Sequence, residues 1–179
     1  EIPPTAALSV NAGEVRVAYG AGTANLLLSG RLEVLGGSMY IGNPAAATNN
    51  SIEYASAGKP EILIEGGNLF VNGQIRRPTT TTSGSLNFIQ SGGIVTIHGK
   101  TRIQNRAMLE IVNSGSLLSL SGGTISFDRP SALGTTFNDI YLRPDSSQIA
   151  GGVLQMGLPS STSGFDFKLN TSSPLWDVS

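Results

Sequence analysis

The sequence has no cysteine among its 179 residues, which excludes disulfide frameworks, thiolate zinc sites and cysteine nucleophiles. Charged residues make up only 13%, and 11 Lys and Arg against 12 Asp and Glu leave a net charge of −1. Electrostatic binding of nucleic acid requires a basic excess, so we expect no nucleic-acid partner. No apolar run approaches the roughly 20 residues of a membrane-spanning helix, so we expect no membrane span.

What the sequence does contain is glycine followed by alternating apolar residues. The pattern is Gly, any residue, apolar, any residue, apolar. It starts at Gly30, Gly37, Gly67, Gly93, Gly123 and Gly152, and in an imperfect copy at Gly115, where a slip of one residue suggests a β-bulge. Strict alternation indicates half-buried strands, and no long 3.6-residue period occurs. We therefore expect an all-β chain with little or no helix.

The spacing of further strands indicates how these copies are arranged. A second apolar strand precedes most copies, at Ile62-Leu63-Ile64, Leu86-Asn87-Phe88, Leu109-Glu110-Ile111 and Ile140-Tyr141-Leu142. Such a recurrence, with polar insertions in the gaps, is typical of a solenoid. We predict a right-handed parallel β-helix with irregular corner loops. A β-sandwich or β-prism is the alternative, although Asn72-Gly73 is the only tight hairpin dipeptide.

Stacked coils place equivalent side chains in columns about 4.8 Å apart. We predict one inward column from Leu69, Val95, Leu117 or Leu118, Ile125 and Leu154, and a neighbouring column from Val71, Ile97, Phe127 and Met156. One coil alone does not offset its conformational entropy, so the coils must stabilise one another. We interpret residues 1–179 as a single solenoid segment and an interior or truncated slice of a longer array.

The chemistry-bearing residues are scattered. The acidic residues form no Asp-Asp or Asp-x-Asp pair, and no Gly-x-Ser-x-Gly elbow occurs. His98 is the only histidine, and alternation after Ile97 places it outside the core. We therefore nominate no catalytic residue, cofactor or metal site, and predict that the chain is not an enzyme.

Two groups of residues are candidates for contact with a ligand or partner. Alignment of Gly73 with Gly99 places Arg76 and Arg77 one coil away from Lys100 and Arg102. This arrangement predicts a small cationic ladder that contacts acidic glycans, although an outward corner of solvated charges gives the same pattern. Tyr40 and Phe70 occupy the same outward register in different coils. Such aromatics bind sugar faces or cover a packed loop, and we favour the loop.

These coils, in a Ser-, Thr- and Asn-rich sequence, resemble the β-helical stalks of large bacterial surface proteins. The phrase from Asn170 to Val178, Asn-Thr-Ser-Ser-Pro-Leu-Trp-Asp-Val, resembles one repeated in type IX secretion cargo and gliding-motility adhesins. The coils are shared by autotransporter passenger domains and two-partner filamentous adhesins. The resemblance implies a secreted or cell-surface adhesin segment that passes through an outer-membrane secretion machinery and then contacts surfaces or glycans.

Two other functions remain open at the level of sequence. The same coils are used by polysaccharide lyases and glycoside hydrolases, which need clustered carboxylates in one groove. A carbohydrate-binding module with a β-sandwich fold would instead require antiparallel strands.

Overall fold

The structure is a computed structural model that describes residues 1–55, 57–101, 103, 105–128, 138–159, 161 and 166–172. Within these ranges there is no helix, and the strands wind into a β-solenoid of stacked coils. Every strand pairing found among the described residues is parallel. The predicted parallel β-helix is confirmed, and the β-sandwich alternative is wrong because it requires antiparallel neighbours.

The strands fall on three faces. The first sheet contains β1 (Ala7–Val10), β4 (Arg31–Val34), β7 (Glu61–Ile64) and β10 (Asn87–Gln90). The second sheet contains β2 (Glu14–Val17), β5 (Ser38–Ile41), β8 (Asn68–Val71) and β11 (Ile94–Ile97). The third sheet contains β3 (Leu26–Leu28), β6 (Ile52–Tyr54), β9 (Ile75–Arg76) and β14 (Leu169–Thr171). The long strands β12 (Leu109–Phe127) and β13 (Ile140–Met156) bend around the corners and contribute to all three.

The core is built from columns of inward aliphatic side chains. In the second sheet Leu69 pairs with Val95, which pairs with Ile125, and all three are buried. Val71, Ile97 and Phe127 form the adjacent column, as predicted. Fully burying one such side chain contributes roughly 1.5–3 kcal/mol.

One predicted member of these columns is misplaced. Leu118 pairs with Phe88 in the first sheet, and Leu117 pairs with Asn87 there. The copy that starts at Gly115 therefore belongs to a different face from the copies at Gly67 and Gly93. The pairing of β12 with β13 shifts register between Asn113 and Leu117, where the sequence predicts a bulge.

Glycine pairs turn the chain from the first sheet to the second. Gly67 has φ +64°, and a Cβ there would lie 2.4 Å from the carbonyl oxygen of Gly37 in the coil below. Only glycine combines that dihedral with so close an approach of two backbones. The repeated Gly-Gly is therefore a requirement of stacking at this corner.

Buried amides build the corner between the second and third sheets. Asn72 Nδ2 donates to the carbonyl oxygen of Thr48 at 2.7 Å, and Asn50 Nδ2 donates to that of Ala24 at 3.0 Å. Gln74 Nε2 likewise donates to carbonyl oxygens of the next coil. These buried amides satisfy their own N–H groups by pairing with loop carbonyls of neighbouring coils.

Candidate functional site

Two arginines of the predicted cationic ladder lie inside the structure and not on its surface. Arg76 and Arg77 are 1% and 3% exposed, so their predicted placement on an outward surface is wrong. Lys100 is half-buried, and its Nζ donates to the carbonyl oxygen of Pro44. Arg102 lies outside the described residues. A contact of these residues with a ligand stays a prediction.

Arg76 has acidic neighbours above and below it in the third sheet. It pairs in register with Glu53, and its Nη1 lies 2.6 Å from Glu53 Oε1. Because Ile75 pairs with Leu109, the residue next to Arg76 in the following coil is Glu110 rather than the predicted Arg102. The loop between Gly99 and β12 is too long for alignment on glycine to hold through the corner.

Glu110 is the acidic centre of this cluster and has no exposed surface. Its Oε2 accepts hydrogen bonds from Arg77 Nε at 2.9 Å and from the Arg77 backbone N–H at 3.3 Å. Its Oε1 accepts one from the Ala107 backbone N–H at 3.2 Å. Burial lowers the pKa of the Arg76 guanidinium, and the nearby carboxylates of Glu53 and Glu110 oppose that shift.

The arginines of the cluster hold an overlying loop. Arg77 Nη1 donates to the carbonyl oxygen of Thr82 at 2.5 Å. Arg106 Nη2 donates to those of Pro78 and Thr81 at 2.9 and 2.6 Å. Hydrogen bonds from a guanidinium are roughly twice as strong as neutral ones. The loop of residues 78–82 is thus fixed from beneath by three carbonyl contacts.

Thr82, at the end of this loop, lines a polar groove at the corner between the third and first sheets. One part of the groove, of ≈ 320 Å³, is lined by Gly58, Lys59, Pro60, Ser85, Asn87 and Gly115. The adjoining part, of ≈ 380 Å³, is lined by Thr82, Ser83, Gly84, Ser85, Asn113 and Ser114. We call these two parts together the Ser85 groove. It crosses three successive coils.

A second set of contacts braces the far wall of the Ser85 groove. Asn113 Nδ2 donates to the carbonyl oxygens of Thr82 and Gly84 at 2.9 and 2.7 Å. The Gly115 N–H donates to Asp145 Oδ2 at 3.0 Å. The walls of neighbouring coils are therefore tied to one another across the groove.

The lining of the Ser85 groove is hydroxyl, amide and backbone. Among the described residues that line its two parts, Lys59 is the only charged one, and it is exposed. None of the salt bridges among the described residues includes Lys59. The groove is therefore suited to polar ligands.

Tyr40 and Phe70 lie on the outer face of the second sheet and are half-buried. Their rings are stacked with centroids 4.7 Å apart and planes 8° apart. Tyr19 packs its edge against Tyr40 at 5.9 Å, and Arg16 lies 4.5 Å above the Tyr19 ring. One face of each stacked ring is covered by the other ring. The stack therefore ties coils together, and its contact with a ligand stays a prediction.

His98 has an acidic partner that the sequence did not reveal. Its Nδ1 lies 3.0 Å from Asp128 Oδ2, in the equivalent position one coil further on. Ser161 Oγ donates to the other oxygen of Asp128 at 3.0 Å. A serine nucleophile needs its hydroxyl on the histidine, whereas His98 Nε2 has no hydrogen-bond partner. The three residues are thus not arranged as a hydrolytic triad.

In the part of the chain that the structure describes, no group of three or more His, Asp or Glu residues is placed to hold a metal ion. No helix long and apolar enough to cross a membrane occurs in the same part.

The roles of Glu53 and Glu110 as partners of the arginines were not predicted from the sequence. A usable signal was present, because Ile52-Glu53-Tyr54, Ile75-Arg76 and Leu109-Glu110-Ile111 each place a charge beside core residues. Opposite charges at equivalent positions of three strands predict cross-strand pairs once the coil register is known.

Comparison of the chain with protein-family models, curated proteins and solved structures finds no significant match.

Proposed function

We propose that this chain is a structural and adhesive segment of a secreted or outer-surface bacterial protein. It serves as a stiff rod that holds binding loops at a fixed spacing along its length. Its partners are an outer-membrane secretion machinery during export, and surfaces or glycans afterwards.

The main support for this proposal is that stacked coils hold a surface loop in place. Three parallel sheets keep register over successive coils, and the loop of residues 78–82 is held by buried arginines. Replacing a buried ion cluster by apolar residues is often neutral or stabilising. Holding a loop in one conformation is a role that apolar residues would not fill.

The export route rests on the resemblance to type IX secretion cargo and gliding-motility adhesins. Most of the phrase that carries it, residues 173–178, lies outside the described residues. We include this route in the proposal on the basis of the sequence phrase alone.

The alternative, a polysaccharide lyase or glycoside hydrolase, requires carboxylates that face a bound chain. None of the described residues that line the Ser85 groove is acidic. No observation at this groove favours the enzymatic alternative.

Surface labelling of the cells that produce the protein tests the proposal. Antibodies raised against the folded chain should label intact cells, and external protease should remove the label. A periplasmic protein should stay unlabelled in the same cells until they are permeabilised. Labelling of this chain only after permeabilisation would contradict a surface role.

A further inference from the structure

We propose that the Ser85 groove binds an extended acidic oligosaccharide, with a carboxylate of the sugar chain placed on Lys59. This inference rests on the proposed adhesive function and names the ligand class of its binding loops.

The composition of the lining selects the ligand class. Ser83, Ser85 and Ser114 supply hydroxyl groups, and Asn87 supplies an amide. The Nδ2 of Asn113 is used by the Thr82 and Gly84 carbonyl oxygens, which leaves its Oδ1 as an acceptor. Typical small-molecule pockets are lined mainly by apolar and aromatic side chains. A lining of hydroxyls and amides instead matches a ligand that carries many hydroxyl groups of its own.

The charge of the groove selects an acidic sugar. Lys59 supplies the only positive charge among the described lining residues, and no described carboxylate pairs with it. Asp145 is not among the described lining residues, but it is exposed and its carboxylate accepts the Gly115 N–H. Among the described residues that line the two parts there is no aromatic side chain to stack on a neutral sugar. Affinity must therefore come from hydrogen bonds and from Lys59.

The shape of the groove selects a chain over a single sugar. The two parts share Ser85 and extend from residue 58 to residue 115 across three coils. At about 4.8 Å per coil, this path spans roughly 10 Å. Each part lies at the lower end of the roughly 300–1,000 Å³ of ligand sites.

The walls are held before any ligand arrives. Arg77 and Asn113 both donate to the Thr82 carbonyl oxygen, and Arg106 fixes the same loop at Thr81. A groove whose walls are already ordered loses less entropy on binding. The buried cluster of Arg77, Arg106 and Glu110 is thus a set of positioning residues for this site.

Amide NMR titration of the whole chain tests the inference, with tetragalacturonic acid as the probe. We expect saturable shifts at Ser83–Ser85 and Asn113–Gly115 that weaken with added salt. Maltotetraose, a neutral chain of the same length, and sodium acetate, a free carboxylate, should give no saturable shifts at these amides. Saturable binding of maltotetraose with equal strength would overturn the acidic class, and equal shifts with acetate would overturn the need for a chain.

Charge substitution provides the second arm. Lys59→Met should weaken binding of tetragalacturonic acid about fivefold, the value of one exposed ion pair. Lys168→Met is the matched control, because Lys168 is also exposed but does not line the groove. Equal affinity of the two variants, or no shift in the wild-type chain at millimolar probe, would refute the inference. Surface labelling of cells would be unaffected by that result, so the adhesive proposal and the ligand class fail separately.

Discussion

At the scale of single residues, Tyr54 shows how the solenoid treats a polar group inside its core. It lies in the third sheet beside Leu28, has no exposed surface, and its Oη has no hydrogen-bond partner. Burial raises the pKa of the phenol well above its usual range, Glu110 adds to the shift, and Arg77 and Arg106 oppose it. The folded chain therefore strongly favours the neutral phenol.

This burial predicts an alkaline loss of stability that Tyr54→Phe removes. An unfolded tyrosine ionises near pH 10, whereas Tyr54 stays protonated in the folded chain. Because the pKa of Tyr54 is higher in the folded chain than in the unfolded chain, its contribution to stability is fully present below the unfolded pKa. This contribution is lost as the pH rises above that value. The Tyr54 contribution to the free energy of unfolding should fall by up to about 1.4 kcal/mol per pH unit above pH 10. Urea unfolding at pH 8, 10 and 11 measures it.

At pH 8, Tyr54→Phe should be neutral or stabilising because it removes a buried hydroxyl without a partner. Tyr40→Phe is the control, since Tyr40 is half-exposed on the outer face. That variant should keep the alkaline loss of the wild-type chain. An unchanged loss between pH 10 and 11 in Tyr54→Phe would contradict the expectation.

At the scale of elements, the corner between the first and second sheets depends on backbone contact between coils. Gly37, Gly67 and Gly93 all have positive φ and follow one another up this corner. Gly13 occupies the same corner in the first described coil, with φ +72°, and a Cβ there would meet nothing within 4 Å. A positive φ therefore occurs at Gly67, which has a coil packed against it, and at Gly13, which has none within 4 Å.

This difference predicts unequal costs for two alanine substitutions. Gly13→Ala should cost about 1–2 kcal/mol, the price of a positive φ alone. Gly67→Ala should cost about 1–3 kcal/mol more, because its Cβ meets the Gly37 carbonyl oxygen at 2.4 Å. Free energies of unfolding in urea provide the measurement. Equal losses would show that the dihedral, and not coil contact, selects glycine here.

At the scale of the whole molecule, the chain consists of coils that mainly contact their neighbours. Arg31, Glu61 and Asn87 are register equivalents in successive coils of the first sheet. A solenoid of this kind is stabilised by the interfaces between adjacent repeats. Removal of one complete period should therefore leave a shorter solenoid in register.

Excision of residues 31–60 tests this. It joins Gly30 to Glu61, the register equivalent of Arg31, and removes β4, β5 and β6. The product should retain a β-type circular dichroism spectrum and unfold in one transition. The denaturant m-value should fall by about one sixth, since 30 of 179 residues are removed.

Excision of residues 31–45 is the out-of-register control. It removes fewer residues but joins Gly30 to Ala46, which is not the register equivalent of Arg31. This shorter deletion should prevent folding. If both deletions unfold the chain to the same degree, the coils are not interchangeable units.

The sequence by itself determined the strands and the filling of the core. Alternation has a period of two, so it identifies the inward residues of each strand, and Leu69, Val95 and Ile125 stack as predicted. The Gly-Gly pairs likewise mark the first corner in the sequence.

The tertiary structure decided which face each strand joins and what the charged residues touch. Alternation is the same on all three faces, so it did not separate Leu118, in the first sheet, from Leu69, in the second. The assignment depends on loop lengths, which differ from coil to coil. The pairing of Arg76 with Glu53, the burial of Glu110 and the Ser85 groove all follow from that register, because each joins residues from different coils.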